Sequence, residues 1–351
     1  MRILQVMAGA EHGGAEAFFY RLVPALSKAG LSQHVILRPH KKALALFKQH
    51  QIPVTTAPFR RSFDFKTPRL IHQTAKSFQP GIVMTWMSRA SHLCPKGPYL
   101  SVARLGGYYD LKYYQKADVL IGNTKDIQNY FLKEGWPADK TAYLPNFVDP
   151  PTSCSPLSKA TFKTPESAPV ILALGRLHDD KAFDVLIKAL TQTPDAFLWI
   201  GGTGPREDFL KTLARNQGVS DRVRFLGWQE DISPFYKACD IYCCPSRIEP
   251  LGNVVIEGWA HQKPVVAARS AGPEGLISHG NDGLLAPVED YRTLAHHLNT
   301  LLNSESLRNQ IAQRGYQTFK ENFTEERIIA QYKIFFKTLL SQQNGVKACV
   351  E

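Results

Sequence analysis

Two glutamates eight positions apart, Glu249 and Glu257, carry the most informative chemistry in this chain. They follow the apolar run Ile241–Cys244, which reads as a strand. Glu249 lies in the loop after it, and Leu251-Gly252-Asn253 opens a helix that bears Glu257. A carboxylate in a phosphate-binding crevice is costly unless hydroxyl groups donate hydrogen bonds to it. Two of them point to a polyhydroxylated ligand, a ribose and a sugar. Earlier in the chain, Gly175-Arg176 closes another strand and Lys181 follows five residues on. Two cations at the carboxyl end of a strand can neutralise a diphosphate, the arginine reaching two oxygens and the lysine acting as a point charge. The same residues also suit a surface pair beside Asp179 and Asp180.

Two glycine-rich turns add to this. Gly201-Gly202-Thr203-Gly204-Pro205 follows the second strand of its half and is not G-x-G-x-x-G, which argues against a nicotinamide fingerprint. Gly13-Gly14-Ala15-Glu16 lies between the first strand and an apolar helix. Its glycines let backbone approach a ligand, and the helix N-terminus favours an anion, with Glu16 complementing the dipole. Such a turn equally serves only to start a helix. His12 beside it reads as a solvated loop residue or a ligand contact.

Elements of two kinds must position these residues. In the first half, strands are expected at Ile3–Met7, His34–Leu37, Ile82–Trp86, Tyr99–Arg104, Val119–Gly122 and Ala142–Leu144, with helices at Phe18–Leu26 and Asp126–Glu134. Five prolines between 150 and 169 interrupt the pattern. It restarts with strands at Val170–Leu174, Ala196–Ile200, Val223–Leu226, Ile241–Cys244 and Pro264–Ala268, and a helix at Phe183–Leu190. Such alternation builds a parallel sheet covered by helices, with ligands beyond the carboxyl ends of its strands. We expect two doubly wound α/β domains, 1–150 and 169–326, joined by a Pro-rich linker at 151–168. A periodic C-terminal helix at 327–342 completes the first. Trp86, Trp136 and Trp259 follow core patterning, whereas His296-His297 falls on a polar helix face.

The 351 residues suit two domains, and with 44% hydrophobic and 21% charged residues the chain has an ordinary globular composition. No apolar stretch approaches the roughly 20 residues of a membrane span, and the N-terminus lacks a signal-peptide pattern, so a cytoplasmic location is expected. Cys94, Cys154, Cys239, Cys243, Cys244 and Cys349 form no C-x-x-C pair and read as reduced, mostly buried thiols. The charge is polarised: residues 1–150 hold 20 Lys+Arg against 9 Asp+Glu, whereas 151–351 hold 22 of each. Between 28 and 116 the balance is 15 to 2, which points to an anionic partner for the first domain.

Taken in order, these motifs resemble the retaining glycosyltransferases of the GT-B fold, the family called glycosyltransferase family 4. The resemblance runs from the Gly13–Glu16 turn through 118–124, Pro145–Asp149, Gly175-Arg176-Leu177 with Lys181, and Gly201–Pro205. It continues through Val223–Trp228, Glu249-x(7)-Glu257, Lys263–Ala267 and Asp282–Leu285. It implies two Rossmann-like domains facing across a cleft. Arg176 and Lys181 match the family's diphosphate-binding pair, Glu257 its ribose-binding glutamate and Glu249 the contact to donor-sugar hydroxyls. The backbone of Leu251, Gly252 and Asn253 would face the donor, Gly202 would lie in its phosphate-side turn, and the Gly13-Gly14 loop would close over its phosphates. The loop after Leu226 would hold the base. Transfer with retention, from a nucleotide-diphospho-sugar and without metal or other cofactor, is the implied activity, with a UDP-sugar the expected donor.

Many family members carry a histidine after a strand like Tyr99–Arg104. Here that segment reads Arg104-Leu105-Gly106-Gly107-Tyr108-Tyr109-Asp110. Asp110 and Glu16 are the acceptor-side candidates in its place. Ala182 also follows Lys181 where the family often has glycine. The basic first domain points to an anionic glycolipid or glycan acceptor, such as lipopolysaccharide core, and to peripheral binding at the inner, anionic membrane surface. An epimerase or phosphorylase of the same fold is the alternative. Nucleic-acid binding is not expected, because it leaves the glycine, Arg/Lys and Glu series of the second half unexplained.

Overall fold

The computed structural model describes residues 1–10, 13–60 and 63–348, with side-chain surroundings as far as residue 343. His12 and Cys349 lie outside the described residues. The chain divides into two compact units, Met1–Asn146 with the stretch from Glu325 onward, and Phe147–Thr324.

The first unit is built on β1 (Arg2–Met7), β2 (Ser32–Leu37), β3 (Val54–Thr56), β4 (Ile82–Trp86), β5 (Leu100–Leu105), β6 (Val119–Gly122) and β7 (Thr141–Tyr143). They pair in parallel in the order β3-β2-β1-β4-β5-β6-β7. Val6 of β1 lies opposite Ile36 on one side and Thr85 on the other. The strands read as unbroken apolar runs because helices cover both faces. All five residues of β4 are buried.

The second unit carries β8 (Val170–Leu174), β9 (Phe197–Gly201), β10 (Val223–Gly227), β11 (Ile241–Cys244), β12 (Val265–Ala268) and β13 (Leu284–Ala286). Their parallel order is β10-β9-β8-β11-β12-β13. Strands β3 and β13, three residues each, were not anticipated, whereas the equally short β7 was expected one residue later, at Ala142–Leu144.

The stretch expected as linker belongs to the second unit. Thr152 N–H donates to Ser233 Oγ at 3.1 Å, and the Phe162 ring packs on Trp199 and Phe235 at 5.4 and 5.9 Å. Buried Thr164 accepts from Trp199 Nε1 at 3.0 Å. Prolines break regular structure there, but the apolar Leu157 and Phe162 give the segment a core to pack on.

The C-terminal helix runs Glu325–Ala348 and packs on the helix Gly14–Lys28 of the first unit. It buries Ile328, Tyr332 and Phe336 completely. Tyr332 Oη accepts from Arg104 Nε at 2.8 Å, and Arg104 also reaches Asn146 Oδ1 at 2.5 Å. The Arg104 guanidinium stacks over Phe18 and Trp86 at 4.5 and 5.0 Å. So this cation of the basic segment is a packing element of the core, 4% exposed, rather than part of a solvated face.

Candidate active site

In the second unit, three loops at the carboxyl ends of adjacent strands are tied together by backbone hydrogen bonds. Gly175 N–H donates to Gly201 O at 2.9 Å, Leu177 N–H to Thr203 O at 3.0 Å, and Gly202 N–H to Gly227 O at 2.7 Å. Gly202 has φ +132, and a Cβ there would lie 2.0 Å from Gly175 O, so this crossing requires glycine. Arg176 projects from it exposed, its guanidinium without hydrogen bond or ion pair among the described residues.

Lys181 ends a short 3-10 turn, Asp179–Lys181, and Ala182 then takes a left-handed conformation, φ +52, before the helix Phe183–Leu190. This is the backbone that glycine adopts freely. Lys181 Nζ meets Glu249 Oε2 at 2.5 Å. Both side chains are largely shielded, 24% and 12% exposed, and Ser246 Oγ donates to the same carboxylate oxygen at 3.4 Å. The cation expected at the diphosphate and the carboxylate expected at the sugar are therefore adjacent.

Sequence reasoning missed the group that holds them together. Arg247 forms a fork onto Asp184, Nη1 to Oδ1 at 2.9 Å and Nη2 to Oδ2 at 2.7 Å. It donates also to Glu289 Oε2 at 3.1 Å and to Asp179 O at 2.7 Å. Ile248 N–H adds a bond to Asp180 O at 3.1 Å. Arg247 thus clamps the Glu249 loop to the turn that carries Lys181 and to the start of the next helix. Its own pKa rises because Asp184 and Glu289 accept from it. Asp184 stays below the ordinary carboxylate range: burial pushes upward, but the Arg247 hydrogen bonds and charge outweigh it.

Beyond Glu249 the chain turns through buried Leu251 and Gly252, φ +83, into the helix Asn253–Ala260. Gly272 N–H donates to Glu249 O at 2.7 Å, and a Cβ on Gly272 would lie 2.5 Å from that oxygen. Glu257 is half-buried one helical turn beyond Asn253. Its carbonyl accepts from His261 Nδ1 at 2.8 Å. Trp228, just past β10 in the loop expected at the base, is 72% exposed.

In the first unit, Gly13 caps the helix Gly14–Lys28, and Glu16 in its first turn folds back under the loop. Its Oε1 accepts from Ala10 N–H at 2.8 Å. A Cβ on Gly9 or Gly13 would lie 2.5 or 2.2 Å from its carboxylate, so these glycines make room for it. A Cβ on Gly14 would meet nothing within 4 Å. Tyr109 lies within reach of the Glu16 charge, which adds to burial in raising its pKa. Asp110 is exposed; it caps the turn Leu111–Tyr114 and pairs with Lys112 at 2.6 Å. Of the two acceptor-side candidates, only Glu16 is a buried carboxylate, at 4% exposed.

Trp86 and Trp259 are core residues, and Trp136 is half-buried against the first unit's core. His296 is exposed, but His297 is not a surface residue: it is half-buried, with Nε2 3.2 Å from Leu285 O, because the helix turns that face onto β13. Cys94, Cys239, Cys243 and Cys244 are buried and free, and Cys154 is half-buried and free. Among the described residues no three His, Cys, Asp or Glu side chains cluster as metal ligands, and no helix is long and apolar enough to cross a membrane.

Comparison with known proteins places this arrangement. Residues 156–318 match the model of the family "Glycosyl transferases group 1". The chain is 35% identical over 325 residues to the lipopolysaccharide core biosynthesis glycosyltransferase LpsE of Rhizobium meliloti, covering 91% of this chain and 94% of that protein. The chain belongs to the group 1 glycosyltransferases. It is similar also to LpsD of the same organism, 32% identical over 96% of this chain and 98% of that one. In fold, this group 1 glycosyltransferase is similar to Anabaena HepE in complex with UDP, at TM-score 0.84 and 23% identity over 96% and 100% of the two chains. Its two parallel-sheet, Rossmann-like units are those of the GT-B glycosyltransferases.

Proposed function

We propose that this glycosyltransferase moves a sugar from a nucleotide-diphospho-sugar, a UDP-sugar, to an anionic glycan or glycolipid acceptor of the lipopolysaccharide-core class, with retention at the anomeric carbon. The contact of Lys181 with Glu249 carries the donor reading, because it sets a diphosphate cation beside a hydroxyl-accepting carboxylate at the carboxyl ends of β8 and β11. Arg176, whose guanidinium has no partner among the described residues, joins Lys181 on the diphosphate. Together they stabilise the charge that develops on the leaving group, the electrostatic effect that usually contributes most. Glu249 orients the sugar hydroxyls, Glu257 the ribose, and the amides of Leu251, Gly252 and Asn253 face the donor. No metal is assigned a part.

The names of LpsE and LpsD support the acceptor class, and the UDP of HepE supports the donor. We assign the protein to the cytoplasmic face of the membrane as a peripheral enzyme. Phe63 and Phe65, 88% and 81% exposed, stand beside exposed Arg60, Lys66 and Arg69, a combination suited to an anionic lipid surface. The test is transfer from UDP-sugars to lipopolysaccharide-core acceptors, with the anomeric configuration of the product read by NMR. An inverted product contradicts retention, and a free sugar phosphate or epimerised nucleotide-sugar contradicts transfer.

A further inference from the structure

Two arginines of the first unit converge where its sheet presents the carboxyl ends of its strands. Arg38 directly follows β2, and Arg89 comes three residues after β4. Both donate to one backbone oxygen, that of Phe59: Arg38 through Nη2 at 2.5 Å and Arg89 through Nη1 at 3.1 Å. Two half-buried guanidinium groups are thereby held close together. A neutral carbonyl cannot balance two positive charges, and each guanidinium keeps further N–H groups for another acceptor.

The backbone around the pair is strained. Phe59, fully buried, has φ +44, and Met87, two residues before Arg89, has φ +71 with ψ 148. Left-handed backbone in bulky residues costs free energy and persists where surrounding structure imposes it, often at binding sites. On the same connection as Arg38, the buried Nε2 of His40 has no hydrogen-bond partner among the described residues. The nearby carboxylate, Asp64, is already committed, accepting from Arg60 N–H at 2.7 Å and from Thr67 N–H and Oγ1 at 2.9 and 2.7 Å. The Arg38 pKa falls through burial and then the Arg89 charge, with Asp64 only partly opposing.

We propose that Arg38 and Arg89 bind an anionic oxygen group, phosphate or carboxylate, carried by the acceptor. This deepens the acceptor reading above and rests on it for the source of the anion. The paired forks would take two or more oxygens of one group, a geometry that lysines cannot reproduce.

The probes are inorganic phosphate and acetate, titrated at constant ionic strength. The protein is the full chain with Arg176→Ala and Lys181→Ala, which removes the anion site expected in the second unit. Thermal stability is the readout. A saturable rise in Tm is expected, its apparent affinity falling about tenfold or more in Arg38→Gln and Arg89→Gln. Arg38→Lys and Arg89→Lys, which keep a donor for the Phe59 carbonyl, should fold normally and lose affinity to a similar degree. Lys133→Gln, an exposed change of equal charge in the same unit, should leave it unaltered. A larger response to phosphate assigns a phosphate, and a larger response to acetate assigns a carboxylate. No response, or one that Arg38→Lys and Arg89→Lys leave intact, overturns the proposal. UDP stabilisation of the unaltered protein is measured in parallel. Its absence with the Arg38–Arg89 response retained counts against the donor reading alone, and the reverse pattern against this site alone.

Discussion

Lys181 and Glu249, 68 residues apart in the chain, meet at 2.5 Å between Nζ and Oε2. Neither side chain is placed by its immediate neighbours alone. The lysine depends on the left-handed Ala182 that turns the chain into its helix, and the glutamate on Arg247 two residues before it. Replacing Lys181 by alanine is expected to lower kcat by about 10²–10³-fold, as loss of one electrostatic stabiliser does. Glu249→Gln keeps the shape and an acceptor for Lys181, so it should raise the donor-sugar KM while nucleotide binding persists. Steady-state kinetics with UDP-sugar and UDP titrations separate the two effects.

The Arg247–Asp184 fork should make stability depend on pH at the acid end. Asp184 titrates below its ordinary 3.8 in the folded protein. Its contribution is therefore complete above the unfolded value and is lost as pH falls through the lower folded one. Asp184→Asn should remove that part of the acid loss while lowering stability at pH 7 by about 1–3 kcal/mol. Urea unfolding at pH 7 and below pH 4 measures both. An unchanged acid profile in the variant would contradict the assignment.

Strands β4, β6, β8 and β11 have the bounds that the residues predict, because helices on both faces make each an unbroken apolar run. The placement of glycines, cations and glutamates at strand ends was legible too, and Lys181 and Glu249 do meet there; their part in donor binding is the proposal made above. The Arg247 clamp was not, since Asp184 and Glu289 lie 63 and 42 residues away and only folding brings them together. Glu16 showed its place in a first helical turn, but its fold-back depends on the missing Cβ atoms of Gly9 and Gly13. The segment 151–168 was misread because proline spacing reports backbone breaks, whereas Phe162 and Thr164 find their partners on Trp199, far along the chain.

The loop crossing at Gly202 predicts a contrast between two glycine substitutions. Gly202→Ala places a Cβ 2.0 Å from a backbone oxygen, so the loop must shift and nucleotide binding should weaken sharply. Gly275, in the helix Ala271–Leu276, has nothing within 4 Å of the same position. Gly275→Ala should be neutral or stabilising by up to about 1 kcal/mol. Thermal unfolding of both variants with and without UDP checks this.

Association with anionic vesicles should depend on Phe63 and Phe65 and fall steeply with salt, as screening of the basic first unit requires. Cosedimentation of the unaltered chain and of Phe63→Ser with Phe65→Ser measures this. Equal binding by the two proteins, or binding indifferent to salt, contradicts peripheral attachment through this loop.

The donor site is tested most directly by the thermal stability of the protein with UDP, GDP, ADP and CMP in the presence of EDTA, beside Glu257→Ala. A ligand at 100 times its Kd adds about 2.7 kcal/mol of stability. The predicted result is a rise in Tm with UDP that is lost in the variant. No rise with any nucleotide, or a rise with UDP that the variant retains in full, contradicts the assignment of Glu257 and its loop to the donor.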